Sequence, residues 1–405
     1  MRGGRLDVAV ALRSPAFRWY ALCRFVSGTG LTLLRATLLW QVYAITGEKK
    51  SVAFLGLILF APSLGVGLIA GAVADSREPK RITQIAQICG AIGSLVLAFL
   101  TYGGHADLGV TLTMALVIGV AQSFETPARI ALLPRVVPGD VFPSAVVVNS
   151  KLQTVAFVTG PFLAGYTIHL FGVVGACLLH AALMTVAMLT LAFVPSAKRE
   201  TPGAGVRLGA IWEGLRYVFR NPVVLGCMTL DMFAVIFGGA VALLPVFAQD
   251  ILKVGADGYG FLSAATEVGA VAMAALLLML PPIRRVGVWL LVAVAGYSLA
   301  TIAFGFSESF TFALVMLALV GMTDYVSVML RSVIVQLSVT DELRGRVSSV
   351  NSIFIGASNS LGVVEAGFVA ELTSTRFSVV SGGVGALLVV IIVAMVVPTL
   401  RRYQR

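Results

Sequence analysis

Residues 195–222, PSAKRETPGAGVRLGAIWEGLRYVFRNP, form the longest polar interruption in an otherwise apolar chain. The stretch carries Lys198, Arg199, Arg207, Arg216 and Arg220. Crossing the hydrocarbon core of a bilayer takes about 20 mostly apolar residues as a helix. Read outward from this interruption by polar breaks, the N-terminal side holds six such runs, near 17–44, 52–74, 82–102, 108–127, 144–169 and 172–194. The C-terminal side holds six more, near 223–250, 258–280, 286–306, 309–335, 347–372 and 377–398. The organisation expected is therefore a six-helix bundle over 1–194, a linker over 195–222 and a second six-helix bundle over 223–405.

Composition supports membrane residence. Hydrophobic residues make up 58% of the 405 and charged residues only 12%, with a mean hydropathy of +0.97; soluble domains carry roughly twice that charge. A soluble globular protein and a single-span receptor are both excluded. The 42 glycines suit helices that pack closely through small side chains.

The net charge of +10 does not point to nucleic acid, because in a membrane chain the placement of Lys and Arg carries the information. An even number of spans puts both termini on one side. The loops opposite them hold only Lys49, Lys50, Lys253 and Arg376, while Arg24, Arg35, Lys151 and Arg331 lie inside spans. All the remaining Lys and Arg fall on the side of the termini, so both termini are expected in the cytoplasm. The first sixteen residues are too polar for a cleavable signal, leaving the first span as the signal. Cys23, Cys89, Cys177 and Cys227 all fall in spans without metal-like spacing, so packing is expected, with no disulfide, metal or cofactor.

The two halves repeat. At a shift of 202, Gly119 falls on Gly321, Arg129 on Arg331, Asn149 on Asn351 and Ser150 on Ser352; at 204, Gly56 falls on Gly260, Gly65 on Gly269 and Arg81 on Arg285. Parallel six-helix repeats about an axis along the membrane normal are an architecture of secondary transporters.

Several stretches carry a family resemblance. Residues 71–81, GAVADSREPKR, resemble the loop signature between the second and third spans of the major facilitator superfamily, matching at Gly71, Ala74, Asp75 and Lys80. Ser76, Glu78 and Pro79 stand where the family prefers Arg, Gly and Arg. Residues 160–165 (GPFLAG) resemble the end of the fifth-span exporter motif, and 231–247, 324–331 and 341–352 resemble the exporter branch that includes siderophore exporters. The chain thus resembles the major facilitator superfamily over nearly its whole length. The resemblance implies an all-α membrane fold of twelve helices in two pseudo-symmetric bundles. It also implies efflux of a small amphiphilic molecule such as a siderophore or drug, driven by protons. Ala115 and its apolar neighbours stand where many proton-coupled drug exporters carry a fourth-span arginine.

Ionisable groups inside spans are functional candidates by default, since an unpaired charge there costs several kcal/mol. Arg24 and Arg35 lie eleven residues apart, leaving about 20° between them on one face of the first helix. Aligning Pro15 with Pro222 sets Arg24 opposite Asp231 in the repeat, a placement compatible with pairing across a central cavity or with a static ion pair. Cations there favour anionic solutes. Asp324 and Arg331, seven residues apart, share a face of the tenth span; either they satisfy each other or Arg331 sits at the cytoplasmic rim. Asn351, Ser358 and Glu365 recur every seven residues with Asn359 alongside, a polar stripe facing a cavity or forming a seam between helices. Glu267 and Glu365 are proton-carrier candidates of equal standing, and Glu125 with Arg129 reads as structural.

Gly71, Asp75, Lys80, Arg81 and Arg129 are candidates for a conformational latch, a role that rests chiefly on the family motif. Trp19, Tyr20, Trp40 and Tyr43 suit the aromatic belts of the two interfaces. No nucleotide-binding glycine loop or catalytic triad is legible, so neither ATP hydrolysis nor an enzyme is expected. The reading is a monomeric inner-membrane carrier of a small-molecule substrate, with protons and the lipid bilayer as partners. The alternatives are a lysophospholipid or lipid flippase on the same fold, or a membrane scaffold or sensor that transports nothing.

Overall fold

A computed structural model describes residues 8–66, 70, 73, 77–195, 208–277, 279–281 and 283–403. Every regular element among them is helical, as hydrocarbon requires: without water, each backbone N–H and C=O must be satisfied within its own segment or in a closed barrel. The first expected span is the helix Pro15–Thr46 and the second begins at Lys49, its described part ending at Gly65. The third and fourth are Pro79–Tyr102 and Leu108–Val136.

The fifth and sixth expected spans run together as Phe142–Ala192, 51 residues, broken at Gly172 with φ 67° and ψ −175°. That backbone conformation is open to glycine and costly for any residue with a Cβ. One residue therefore turns the chain where a loop was expected. The remaining spans are Pro222–Ile251, Gly255–Leu277, Val286–Gly305, Phe310–Ser338, Asp341–Leu372 and Thr375–Val396. Nine helices among the described residues are long and apolar enough to cross a membrane, and Phe142–Ala192 has the length of two. With the two N-terminal helices, the set is consistent with twelve crossings.

Local chemistry fixes the helix ends. The Asp107 carboxylate accepts from the Val110 N–H at 2.7 Å, and Asn221 Oδ1 accepts from the N–H groups of Val223 and Val224 at 3.1 and 3.2 Å. These side chains satisfy donors that a helix start leaves unpaired. Pro79 and Pro222 occupy first-turn positions, where the missing N–H costs nothing.

The described residues group into two compact units, residues 1–45 with 61–206 and residues 46–60 with 207–405. The linker contributes the helix Leu208–Arg220 to the second unit, where Val218 packs with Val339, Val347 and Val350. In that unit too, the start of the second-span helix is tied to the eleventh: the Lys49 and Lys50 N–H groups donate to Glu371 at 3.0 and 3.3 Å.

Internal packing repeats between the units. The third helix lies on the fourth in one, and the ninth on the tenth in the other; the third also meets the sixth, as the ninth meets the twelfth. Small residues set the closest approaches. A Cβ on Gly269 would overlap the Ala318 carbonyl, and one on Gly321 would overlap the Thr266 carbonyl, so the eighth and tenth helices touch backbone to backbone.

Candidate functional site

In the second unit, Arg331 of the tenth helix forms an ion pair with Asp231 of the seventh, both side chains being buried to about nine-tenths. Such burial costs several kcal/mol per ion before the mutual attraction offsets it. Beside the pair lies a cavity of about 470 Å³ lined by Arg331, Ser332, Val335, Gln336 and Val339 of the tenth helix and Ser348 and Asn351 of the eleventh. The structure thus brings together three residues that the sequence marked: Asp231, Arg331 and Asn351.

This arrangement corrects two expectations. Asp231 finds its cation on a helix of its own unit, not in Arg24, and Arg331 is satisfied by Asp231, not by Asp324 on its own helix. Repeat-related positions are equivalent in sequence, and equivalence does not make neighbours. The seventh helix packs on the tenth, and that contact selects the partner.

The first unit holds a second buried polar cluster. Glu125 Oε1 accepts from Arg129 Nη1 at 2.9 Å and from Gln87 Nε2 at 3.3 Å. Arg129 Nη1 also reaches Ser27 Oγ at 3.4 Å, and the Tyr20 hydroxyl donates to the Arg129 carbonyl at 3.4 Å. Arg24, 5% exposed, lies within electrostatic reach of Arg129, Glu125 and Tyr20.

A search of the spans for ionisable residues passes over Gln87. Its signal is a stripe: Thr83, Gln87 and Ser94 fall at helical spacing on one face of the third helix, and all three are buried. Ser94 Oγ lies 2.6 Å from His180 Nδ1 on the sixth.

Farther along the spans, Glu267 and Asp324 occupy mid-helix positions on the eighth and tenth helices, within electrostatic reach of each other. Tyr297 of the ninth lies within reach of Asp324 and donates to the Gly238 carbonyl at 3.1 Å. Asp324 is solvent-accessible and Glu267 half-buried. Arg35 is likewise accessible in mid-helix. A charge in mid-span is costly against lipid and tolerable against water. On the eleventh helix Ser358 is buried, Asn351 and Glu365 are half-buried, and Asn359 is exposed, its amide donating to the Ile355 carbonyl at 2.9 Å.

Of the latch candidates, Gly71 and Asp75 lie outside the described residues. Lys80 Nζ donates to the Ala192 carbonyl at 3.0 Å, Arg81 pairs with Glu78 at 2.8 Å, and Arg129 pairs with Glu125. The aromatic belt needs a correction. Trp19 is accessible and stacks on Phe193 with centroids 4.8 Å apart, but Tyr20 and Tyr43 are 3% and 4% exposed and pack inside the protein instead.

A bundle of membrane-crossing helices with internal repeats and accessible mid-span charges is a secondary membrane transporter of the major facilitator fold. The chain belongs to the family of transmembrane secretion effectors within that superfamily, whose model matches residues 8–404. It is 25% identical over 401 residues to the enterobactin exporter EntS of Escherichia coli O1:K1, covering 99% of this chain and 96% of that protein. Among solved structures it is similar to the nucleoside transporter NupG, with a TM-score of 0.70 at 14% identity, covering 96% of this chain and 100% of that one. It is also similar to a bacterial homologue of the human lysosomal transporter Spinster, with a TM-score of 0.67 at 14% identity and 96% of each chain covered. At these identities the solved structures speak for the fold alone.

Proposed function

We propose that this transporter exports a small amphiphilic molecule, of the siderophore or drug kind, by alternating access driven by the proton gradient across the inner membrane. The distribution of Lys and Arg supports cytoplasmic termini. The observation that carries the coupling is the neighbourhood of Glu267 and Asp324, two mid-span carboxyl groups on adjacent helices with one of them open to water. Two carboxylates within electrostatic reach repel when both are charged, which makes the pair a place to take up and release a proton. A gradient of 100 mV supplies about 2.3 kcal/mol per charge moved, enough for modest uphill export.

The cavity beside Arg331 and Asn351 in the second unit supports a polar route for the solute. The relative named for enterobactin suggests the first probe. In inverted vesicles containing the purified protein, enterobactin is expected to accumulate when the lumen is acid and to stop accumulating when a protonophore collapses the gradient. Movement of a fluorescent lysophospholipid between leaflets, with no accumulation of enterobactin or of a panel of amphiphilic drugs, would favour the flippase reading instead.

A further inference from the structure

Among the described residues of the first unit, the buried charges around Arg24 do not balance. Arg24 and Arg129 bring two guanidinium groups together with one carboxylate, Glu125. That carboxylate is committed, accepting from Arg129 at 2.9 Å and Gln87 at 3.3 Å. Arg24 makes no hydrogen bond or ion pair among the described residues, though only 5% of it is exposed. Its guanidinium lies beside Gly28, one turn farther along its own helix, where a Cβ would stand 3.5 Å from Nη1.

The second unit shows what a balanced version looks like. There the repeat-related positions are Asp231 and Arg331, which neutralise each other. The first unit has an arginine where the second has the acid. An unpaired buried cation is among the most expensive features a protein can hold, and it persists where a ligand supplies the missing charge.

Resting on the reading of the chain as a solute carrier, we propose that Arg24 is the recognition group for an oxyanion of the transported solute, a carboxylate or phosphate-type group. Bound there, it completes the charge balance of the Arg24, Glu125 and Arg129 cluster in the first unit. The Asp231–Arg331 pair of the second unit, already neutral, takes no such group.

The test uses the full chain in nanodiscs of zwitterionic phosphatidylcholine, with thermal unfolding followed by tryptophan fluorescence during titration with benzoate, inorganic phosphate or neutral benzamide. Wild type is expected to be stabilised saturably by benzoate or phosphate and not by benzamide. Arg24→Gln is expected to be more heat-stable than wild type without anion and to gain nothing from it. Arg24→Lys should keep the response with affinity weakened about tenfold, the scale of one charged hydrogen bond.

A purely structural arginine would give the reverse, an Arg24→Gln variant that is less stable or fails to fold, and that result overturns the proposal. An equal anion response in wild type and Arg24→Gln overturns it as well. So does stabilisation by anionic phosphatidylglycerol in the nanodisc with no response to soluble anions, since the oxyanion would then belong to lipid. Anion binding without vesicle transport of any solute would leave this site standing and remove the export reading; transport of neutral solutes without anion binding would do the opposite.

Discussion

Arg331 and Asp231 neutralise each other within the second unit, at positions whose repeat counterparts in the first unit are two arginines, Arg129 and Arg24. Duplicated halves have thus kept charged groups at the same positions while diverging in the sign they place there. The second unit holds a closed pair beside a cavity of about 470 Å³; in the first, Arg24 has no ion-pair partner among the described residues.

Removing one member of the closed pair should cost far more than removing both. Asp231→Asn leaves Arg331 buried and unpaired, with an expected loss of about 3–5 kcal/mol in stability. Asp231→Leu combined with Arg331→Met should fold about as well as wild type, since buried ion pairs are often replaceable by apolar groups of similar volume. Thermal unfolding in detergent checks both, and the double variant is expected to be inactive in vesicles despite being folded.

Glu125 holds Arg129 and Gln87 together, so Glu125→Gln should destabilise the first unit by a similar amount, about 3–5 kcal/mol. The Glu125→Gln, Arg129→Gln double variant should cost less than the sum of the two single changes, because partners in one network are not additive. A double-mutant cycle on unfolding temperature measures this. Additive losses would mean that the two residues do not act as a pair.

Gly321 stands where the tenth helix meets the Thr266 carbonyl of the eighth. Gly321→Ala forces the helices apart and should cost about 1–3 kcal/mol, the usual range for overpacking. The same change at Gly356, whose Cβ position is open, should be nearly neutral. Size-exclusion profiles and unfolding temperatures of the two variants separate close packing from mere glycine content.

Sidedness is testable independently of transport. With the native cysteines replaced, Lys50→Cys is expected to react with a membrane-impermeant thiol reagent in intact cells. Arg346→Cys is expected to react only after the membrane is opened. Labelling of both from outside would overturn the topology read from the Lys and Arg distribution.

Much of the fold is legible because hydrocarbon imposes a strong rule: an apolar run of sufficient length becomes a helix. Asp107, Asn221 and Gly172 set helix ends and a turn by local chemistry that a reading of apolar runs passes over. The i,i+4 spacing gives away Glu125 with Arg129.

Partners across helices are harder to read. Repeat position matches Asp231 to Arg24, yet ion pairs are chosen by which helices pack, and in the second unit that is the seventh against the tenth. Gln87 escapes because its role comes from burial beside Glu125, while its side chain carries no charge to flag it. Tyr20 and Tyr43 read as interfacial because residue type alone does not tell the inner from the outer face of a helix.

The central claim is that mid-span carboxyl groups couple proton movement to solute export, and gradient-driven accumulation in inverted vesicles tests it most directly. Wild type is expected to concentrate its solute only while the lumen is acid. Glu267→Gln with Asp324→Asn should leave the protein folded and permit downhill exchange, with accumulation gone. Full accumulation by that double variant, or accumulation by wild type that ignores the pH gradient, would contradict the account.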